Sequence, residues 1–139
     1  MKKVLIDTNV VLDVLLDRQP HAAGSVAIWA AVETRFAQGL LAAHAITTVH
    51  YVMRRELGTA RATRTIGTIL RVFGVAAVDG PVIQLALGLP VSDFEDAVTA
   101  AAAQFAGCDY IVTRDPKGFR GCGVQSLAPE AAATLFGGG

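Results

Sequence analysis

Short runs of aliphatic and β-branched residues alternate along the chain with longer stretches in which apolar residues recur every three or four positions. A continuous apolar run such as Val4–Ile6 is typical of a strand covered on both faces, whereas the longer spacing is typical of a helix packed along one side. Alternation of the two patterns predicts an α/β fold with a mainly parallel sheet.

The pattern predicts five strands, at residues 4–6, 40–43, 75–78, 110–113 and 124–125. It predicts seven helices, at residues 8–17, 20–37, 44–57, 59–73, 79–87, 92–106 and 129–136. Ser92 and Glu95 have the spacing of a capping box, which places the helix start at Ser92. The 139-residue length suits one domain, predicted over residues 1–136 and followed by a flexible glycine tail at 137–139.

Composition narrows the classes of function. Twelve Lys and Arg balance twelve Asp and Glu, so the chain cannot bind nucleic acid by bulk charge, and any such contact needs a local patch. The longest stretch without charged residues, 36–53, contains several polar residues and predicts a buried element rather than a membrane span. Cys108 and Cys122 form no metal-binding or redox motif, as expected of thiols in a reducing cytoplasm.

Acidic residues follow two of the predicted strands. Asp7 comes directly after residues 4–6, and Asp115 comes just after residues 110–113. In parallel sheets, ligands bind at the carboxyl ends of the strands where the strand order reverses, so these carboxylates meet if their strands are neighbours. Asp96 lies in the first turn of the helix after Ser92, with Asp93 one turn earlier on the same side.

Carboxylates gathered in one cleft repel each other unless some stay protonated or a cation joins them. Mg²⁺ and Mn²⁺ prefer such oxygen ligands, and a bound cation can polarise a phosphoryl oxygen and lower the pKa of its water. This chemistry is hydrolysis of a phosphodiester. Structural roles compete with it, because an Asp after a strand is often a turn residue, Asp93 also suits a helix N-terminus, and Glu95 suits the capping box.

Three segments together, LIDTNV at 5–10, DFEDA at 93–97 and IVTRD at 111–115, resemble the PIN domain, and in particular toxin nucleases of the VapC type. Their order and spacing fit nearly the whole chain. The resemblance implies a three-layer α/β/α sandwich and a ribonuclease that uses Mg²⁺ or Mn²⁺. Asp7, Asp96 and Asp115 take the catalytic and metal-binding positions. It also implies the toxin of a toxin–antitoxin pair, an RNA substrate, a small antitoxin protein as partner and a homodimer.

The chain departs from the family at one acidic position. PIN domains usually carry a glutamate, or another acid or polar residue, in the helix after the second strand, and the matching position here falls at about Thr48. A threonine supplies no negative charge, so we expect one tightly bound metal rather than two, with Asp93 adding part of the missing charge. Thr48, and His44 one turn before it, could instead contact a bound water or the substrate.

Two other functions compete with the nuclease. The first is a PIN-like module that binds RNA or protein with little or no turnover. The uncharged Thr48 at the usual acidic position is the feature that supports this alternative. The second is a phosphate-transferring α/β domain such as a receiver or a haloacid dehalogenase-like phosphatase. These domains need a second acid beside the first, and Asp7-Thr8-Asn9 does not provide one, so we exclude them.

Substrate contacts are predicted next to Asp115. Arg114 and Lys117 border the expected cleft and could bind phosphates, with Arg114 the strongest candidate. A second group of arginines on two consecutive helices is interpreted as a solvated face or a docking surface for acidic residues of a partner: Arg54, Arg55, Arg61, Arg64 and Arg71. Trp29 and most phenylalanines lie on apolar stripes, which predicts core positions rather than platforms for stacking bases.

Overall fold

The computed structural model describes residues 1–137, and residues 138 and 139 of the predicted tail lie outside that range. The strands are β1 (Lys3–Ile6), β2 (Gln38–Ala42), β3 (Gly74–Ala76), β4 (Tyr110–Val112) and β5 (Gln125–Leu127). The α-helices are α1 (Thr8–Leu15), α2 (Ala22–Glu33), α3 (Ala43–Leu57), α4 (Thr59–Val72), α5 (Gly80–Leu87), α6 (Phe94–Phe105) and α7 (Pro129–Phe136). A short 3-10 helix, Pro116–Phe119, precedes β5.

The five strands form one parallel sheet in the order β3-β2-β1-β4-β5. Side chains of the central strand alternate between its two faces: Val4 and Ile6 enter one apolar core, and Leu5 enters the other. Both faces are therefore covered by helices, which confirms the predicted α/β/α sandwich. No helix within residues 1–137 is long and apolar enough to cross a membrane.

Helix α6 packs closely on the sheet because its buried face is made of alanines. Ala100–Ala103 are completely buried, and their small side chains bring the helix backbone near Leu5 and Ile111. The phenylalanines at the two ends of the helix stay outside this contact, with Phe94 51% exposed and Phe105 60% exposed. The prediction that most phenylalanines lie in the core was therefore wrong for these two residues, as it was for the exposed Phe36.

The predicted start of α6 was also wrong. The helix begins at Phe94, and its N-cap is Asp93, whose Oδ1 accepts a hydrogen bond from the Asp96 backbone N–H at 3.0 Å. Asp and Ser are comparable N-cap residues, so the sequence alone does not decide between Ser92 and Asp93. The later start moves Glu95 out of the position from which it could bond back to the cap, and its side chain is free for another contact.

Two helices are shorter than predicted. Helix α1 ends at Leu15 and α2 ends at Glu33, although the apolar pattern continues to Asp17 and Ala37. Asp17 has φ 50° and Arg35 has φ 65°, a left-handed backbone that cannot continue a right-handed helix. These turns direct the chain into the next element.

Candidate metal centre

The site lies at the carboxyl end of the sheet, where β1 neighbours both β2 and β4. Ile6 is in register with Val112, and the Asp7 backbone N–H donates to the Val112 carbonyl at 2.9 Å. The expectation that the strands before Asp7 and Asp115 are neighbours is thus confirmed. Thr113 links the two acids, because its hydroxyl donates to Asp7 Oδ2 at 2.9 Å and accepts from the Asp115 backbone N–H at 3.1 Å.

Asp7 is a buried carboxylate fixed on both oxygens. Its Oδ1 accepts from the Thr8 N–H at 2.9 Å at the start of α1, and its Oδ2 accepts from Thr113. Burial is the main cause that raises the pKa of Asp7, and the negative charge of Glu95 raises it further, against the lowering effect of the Thr113 bond. The charge of Arg114 lowers the pKa of Asp7 least of these effects, so a cation bound at the site would favour the ionised form.

Three carboxylates meet at this point. Asp7, Glu95 and Asp96 each offer an oxygen, and these oxygens lie within 4.8 Å of one another; we call these three residues the acidic cluster. Burial, followed by the charge of Asp7, raises the pKa of Asp96 to about 7. Such a set of hard oxygen donors with unbalanced negative charge fits Mg²⁺ or Mn²⁺.

The other two predicted metal ligands lie outside the acidic cluster. Asp93 is occupied as the N-cap of α6. The Asp115 carboxylate lies beside Gly118, where an added Cβ would be 2.8 Å from Asp115 Oδ2 and 3.8 Å from Asp96 Oδ2. Asp115 therefore lies next to the cluster on its Asp96 side, and both carboxylates lie beside Gly118. Metal binding by either residue stays a prediction.

Glu95 belongs to the cluster, although the sequence assigned it to a capping box. Its Oε1 accepts a hydrogen bond from His44 Nε2 at 3.0 Å, and Thr99 Oγ1 contacts the same nitrogen at 3.3 Å. The His44 bond is the main cause that lowers the pKa of Glu95. Sequence reasoning assigned His44 a contact with a bound water or the substrate, and not with Glu95. It lies two residues after β2, so the strand-end argument applied to Asp7 also applies to it.

Thr48 lies one helical turn beyond His44 on α3. It is exposed, and its hydroxyl donates to the His44 backbone carbonyl at 3.4 Å. The third carboxylate of the cluster thus comes from α6, through Glu95, and not from α3. A role for Thr48 in substrate binding remains a prediction.

Arg114 contacts a buried acid that the sequence did not reveal. Its Nε lies 3.1 Å from Oδ2 of Asp13, whose side chain is 0% exposed while that of Arg114 is 30% exposed. Within residues 1–137, neither Arg114 Nε nor either Asp13 oxygen makes a hydrogen bond of good geometry, so the contact is an ion pair. Lys117 is exposed in the 3-10 helix beside Asp115. Phosphate binding by Arg114 and Lys117 stays a prediction, and the structure gives Arg114 a first role inside the fold.

The sequence of the chain also matches a known protein family. The family model of the PIN domain matches residues 3–117, and the chain belongs to this family. No curated protein matches the chain in sequence.

Solved structures of similar fold come from several bacteria. The FitAcB structure from Neisseria gonorrhoeae is 21% identical with a TM-score of 0.70, covering 91% of this chain and 97% of that one. DNA-bound VapBC from Salmonella typhimurium is 16% identical with a TM-score of 0.67, covering 93% and 99%. VapC20 from Mycobacterium tuberculosis, described as a sarcin–ricin loop cleaving toxin, is 16% identical with a TM-score of 0.62, covering 78% and 86%. At these identities the likeness concerns the fold.

Proposed function

We propose that this PIN domain is an endoribonuclease that hydrolyses RNA phosphodiester bonds with Mg²⁺ or Mn²⁺. The observation that carries the proposal is the convergence of Asp7, Glu95 and Asp96 within 4.8 Å at the end of the central strand. Burial and the charge of Asp7 raise the pKa of Asp96 to about 7, and this cost of keeping the carboxylates ionised favours a divalent cation as the fourth member of the group.

Each acidic residue of the site has its own role in the proposed reaction. Asp7, Glu95 and Asp96 would hold the cation, with Asp115 next to Asp96 and Asp93 one turn away adding negative charge. A cation bound there supplies stabilisation of the charge on the phosphoryl oxygens and lowers the pKa of water. Thr113 keeps the Asp7 carboxylate oriented.

The competing proposal is a binding module without turnover, based on the missing acid at Thr48. The position of Glu95 argues against a binding module, because Glu95 on α6 supplies the carboxylate that α3 lacks at Thr48. His44 on α3 helps to hold Glu95 in this position, since its Nε2 donates to Glu95 Oε1 at 3.0 Å. We therefore favour the nuclease.

The wider role follows by analogy with the structural relatives. The Salmonella VapBC and Neisseria FitAcB structures and the cleaving toxin VapC20 share the fold over most of this chain. On this basis we propose a toxin of a toxin–antitoxin pair in the cytoplasm, one domain over residues 1–136, acting as a homodimer and bound by a small antitoxin protein. A neighbouring gene for such a protein would support this role.

Cleavage of a mixed RNA pool tests the proposed activity. We expect Mn²⁺-dependent cleavage by the wild-type chain and none by Asp7→Asn, because the variant loses a ligand charge at the centre of the site. Asp17→Asn is the matched control: Asp17 is exposed, lies outside the acidic cluster and has φ 50°, which Asn also tolerates. Equal cleavage by Asp7→Asn and wild type would assign the activity to a contaminant. Mn²⁺ binding without cleavage of any RNA would favour the binding module.

His44 provides a second prediction, on metal affinity. We expect His44→Ala to weaken Mn²⁺ binding about tenfold in calorimetric titration, because Glu95 loses the donor that orients it. His44→Gln, which keeps a donor, should lose less. His50→Ala on the same helix, where the ring contacts Thr63 Oγ1 at 3.4 Å, should bind Mn²⁺ as the wild type does. Unchanged affinity in His44→Ala would exclude the orienting role.

A further inference from the structure

The exposed face of α3 continues outward from the acidic cluster. Residues spaced by three or four positions share one side of a helix, and here they form a stripe that we call the α3 track: His44, Thr48, Tyr51 and Arg55. The opposite side of the helix is buried in the core by Ala45, Val49 and Met53. The track begins at His44, which touches Glu95 of the acidic cluster, and runs away from it into solvent.

Tyr51 is the aromatic residue of the track. Its side chain is 50% exposed, and the guanidinium carbons of Arg54 and Arg55 each lie 5.7 Å from the centre of its ring. Among residues 1–137, neither arginine has a carboxylate within 4.0 Å. Two cations without acidic partners thus flank one exposed aromatic ring.

We propose that single-stranded RNA binds along the α3 track, with a base stacked on Tyr51 and backbone phosphates contacted by Arg54 and Arg55. Stacking on an aromatic side chain needs an unpaired base and accepts any of the four, whereas arginines bind phosphates. Stacking requires a guanidinium group that lies over the ring to move onto a phosphate, whereas an acidic protein segment would pair with the arginines and offer no base to the ring. The proposal rests on the proposed function and identifies the surface on which its RNA substrate would bind.

The charge distribution of the chain explains why RNA binding would need this surface. The chain has no net charge, and its candidate site is a group of carboxylates that repels phosphates. Binding energy for RNA must therefore come from a patch beside the site. The α3 track supplies cations and a stacking surface on the helix that touches the acidic cluster.

The length of the helix sets the reach of the contact. Tyr51 lies seven positions after His44, which corresponds to about 10 Å along the axis at ~1.5 Å per residue. A stacked strand rises by roughly 3.4 Å per nucleotide. Tyr51 therefore engages a base about three nucleotides from the bond at the acidic cluster, with Thr48 in between.

Binding of a short labelled single-stranded RNA, followed by fluorescence anisotropy in chelator, tests the proposal. Asp7→Asn serves as the parent, so that RNA is not cut. Adding Tyr51→Ala should weaken binding about tenfold, while Tyr51→Phe, which keeps the ring, should stay within about twofold. Adding Arg55→Ala should make the dependence of log K on log salt shallower by about 0.7. The same sequence as a duplex should bind weakly and be insensitive to Tyr51.

Arg71→Ala is the matched arginine control. Arg71 lies near the end of α4, close to Met1 and to Gly74, the first residue of β3, and therefore at the amino end of the sheet. The acidic cluster lies at the carboxyl end, so the loss of Arg71 should leave the binding of RNA unchanged. Equal binding by the parent and Tyr51→Ala would overturn the proposal, and so would a parent that binds no RNA. A shift from dimer to monomer in Tyr51→Ala, measured by light scattering, would also overturn it by making this face an interface between two copies.

The two proposals fail in different ways. If the wild type cleaves RNA with Mn²⁺ but RNA binding does not depend on Tyr51, the proposed nuclease activity is supported and RNA binding along the α3 track is rejected. If RNA binding depends on Tyr51 but the wild type does not cleave RNA, binding along the α3 track is supported and the nuclease activity is rejected.

Discussion

Replacing Arg114 with alanine is expected to lower the free energy of unfolding by about 3 kcal/mol, because it leaves the carboxylate of Asp13 buried without a cation. The side chain of Asp13 is 0% exposed and its oxygens have no hydrogen-bond partner among residues 1–137, so the guanidinium is the group that balances its charge. Folded domains of this size are stable by only about 5–15 kcal/mol, so the loss should be plain in urea denaturation.

A double variant separates the buried charge from other effects of truncation. With Asp13→Asn also present, the second loss caused by Arg114→Ala should shrink to about 1 kcal/mol, since no buried charge remains to be stranded. Arg120→Ala is the matched control, an exposed arginine in the same loop whose removal should cost less than about 0.5 kcal/mol. Equal stability of Arg114→Ala and Arg120→Ala would refute a structural role for the ion pair.

This ion pair also affects how RNA binding by Arg114 is tested. A weaker complex with Arg114→Ala could reflect a loosened cleft edge as well as a lost phosphate contact. The variants must therefore be compared well below the melting temperature of the least stable one. Lys117→Ala, in the exposed 3-10 helix beside Asp115, reports on phosphate contacts without disturbing Asp13.

The fold could be predicted because its strongest patterns are local. An apolar run in a parallel sheet and a helical stripe of apolar residues are both visible in the sequence, and α7 runs from Pro129 to Phe136 as predicted. The meeting of Asp7 with the β4 end was also predictable, since parallel strands bring their carboxyl ends to one edge. Only the strand order was needed beyond the sequence.

The rest of the site depends on details that the sequence does not fix. A shift of one residue in the N-cap, from Ser92 to Asp93, means that the Glu95 side chain does not bond back to the cap and instead joins the cluster. His44 becomes its partner because α3 and α6 approach each other in the folded chain, across 51 positions of sequence. The pairing of Asp13 with Arg114 likewise joins distant elements, and a lone acid in an apolar helix gives no indication of its partner.

Asp96→Asn is expected to stabilise the metal-free protein at pH 8 by about 1–2 kcal/mol, after allowance for solvent screening of a partly exposed group. The pKa of Asp96 is raised to about 7 in the folded state, first by burial and then by the charge of Asp7. The folded state therefore binds a proton that the unfolded state releases near pH 4, so this group favours folding in acid. That contribution is lost as the pH rises to about 7, and Asn, which resembles the protonated acid, does not lose it.

Melting curves in chelator at pH 5 and pH 8 would measure this effect. The variant should melt a few degrees above the wild type at pH 8 and close to it at pH 5, whereas Asp17→Asn should follow the wild type at both. Saturating Mn²⁺ should reverse the order at pH 8, because a cation that binds only the folded wild type adds about 2.7 kcal/mol at a hundred times its Kd. A wild type more stable than Asp96→Asn at pH 8 in chelator would mean that the three carboxylates do not repel one another, and the electrostatic argument for a cation at this site would fall with it.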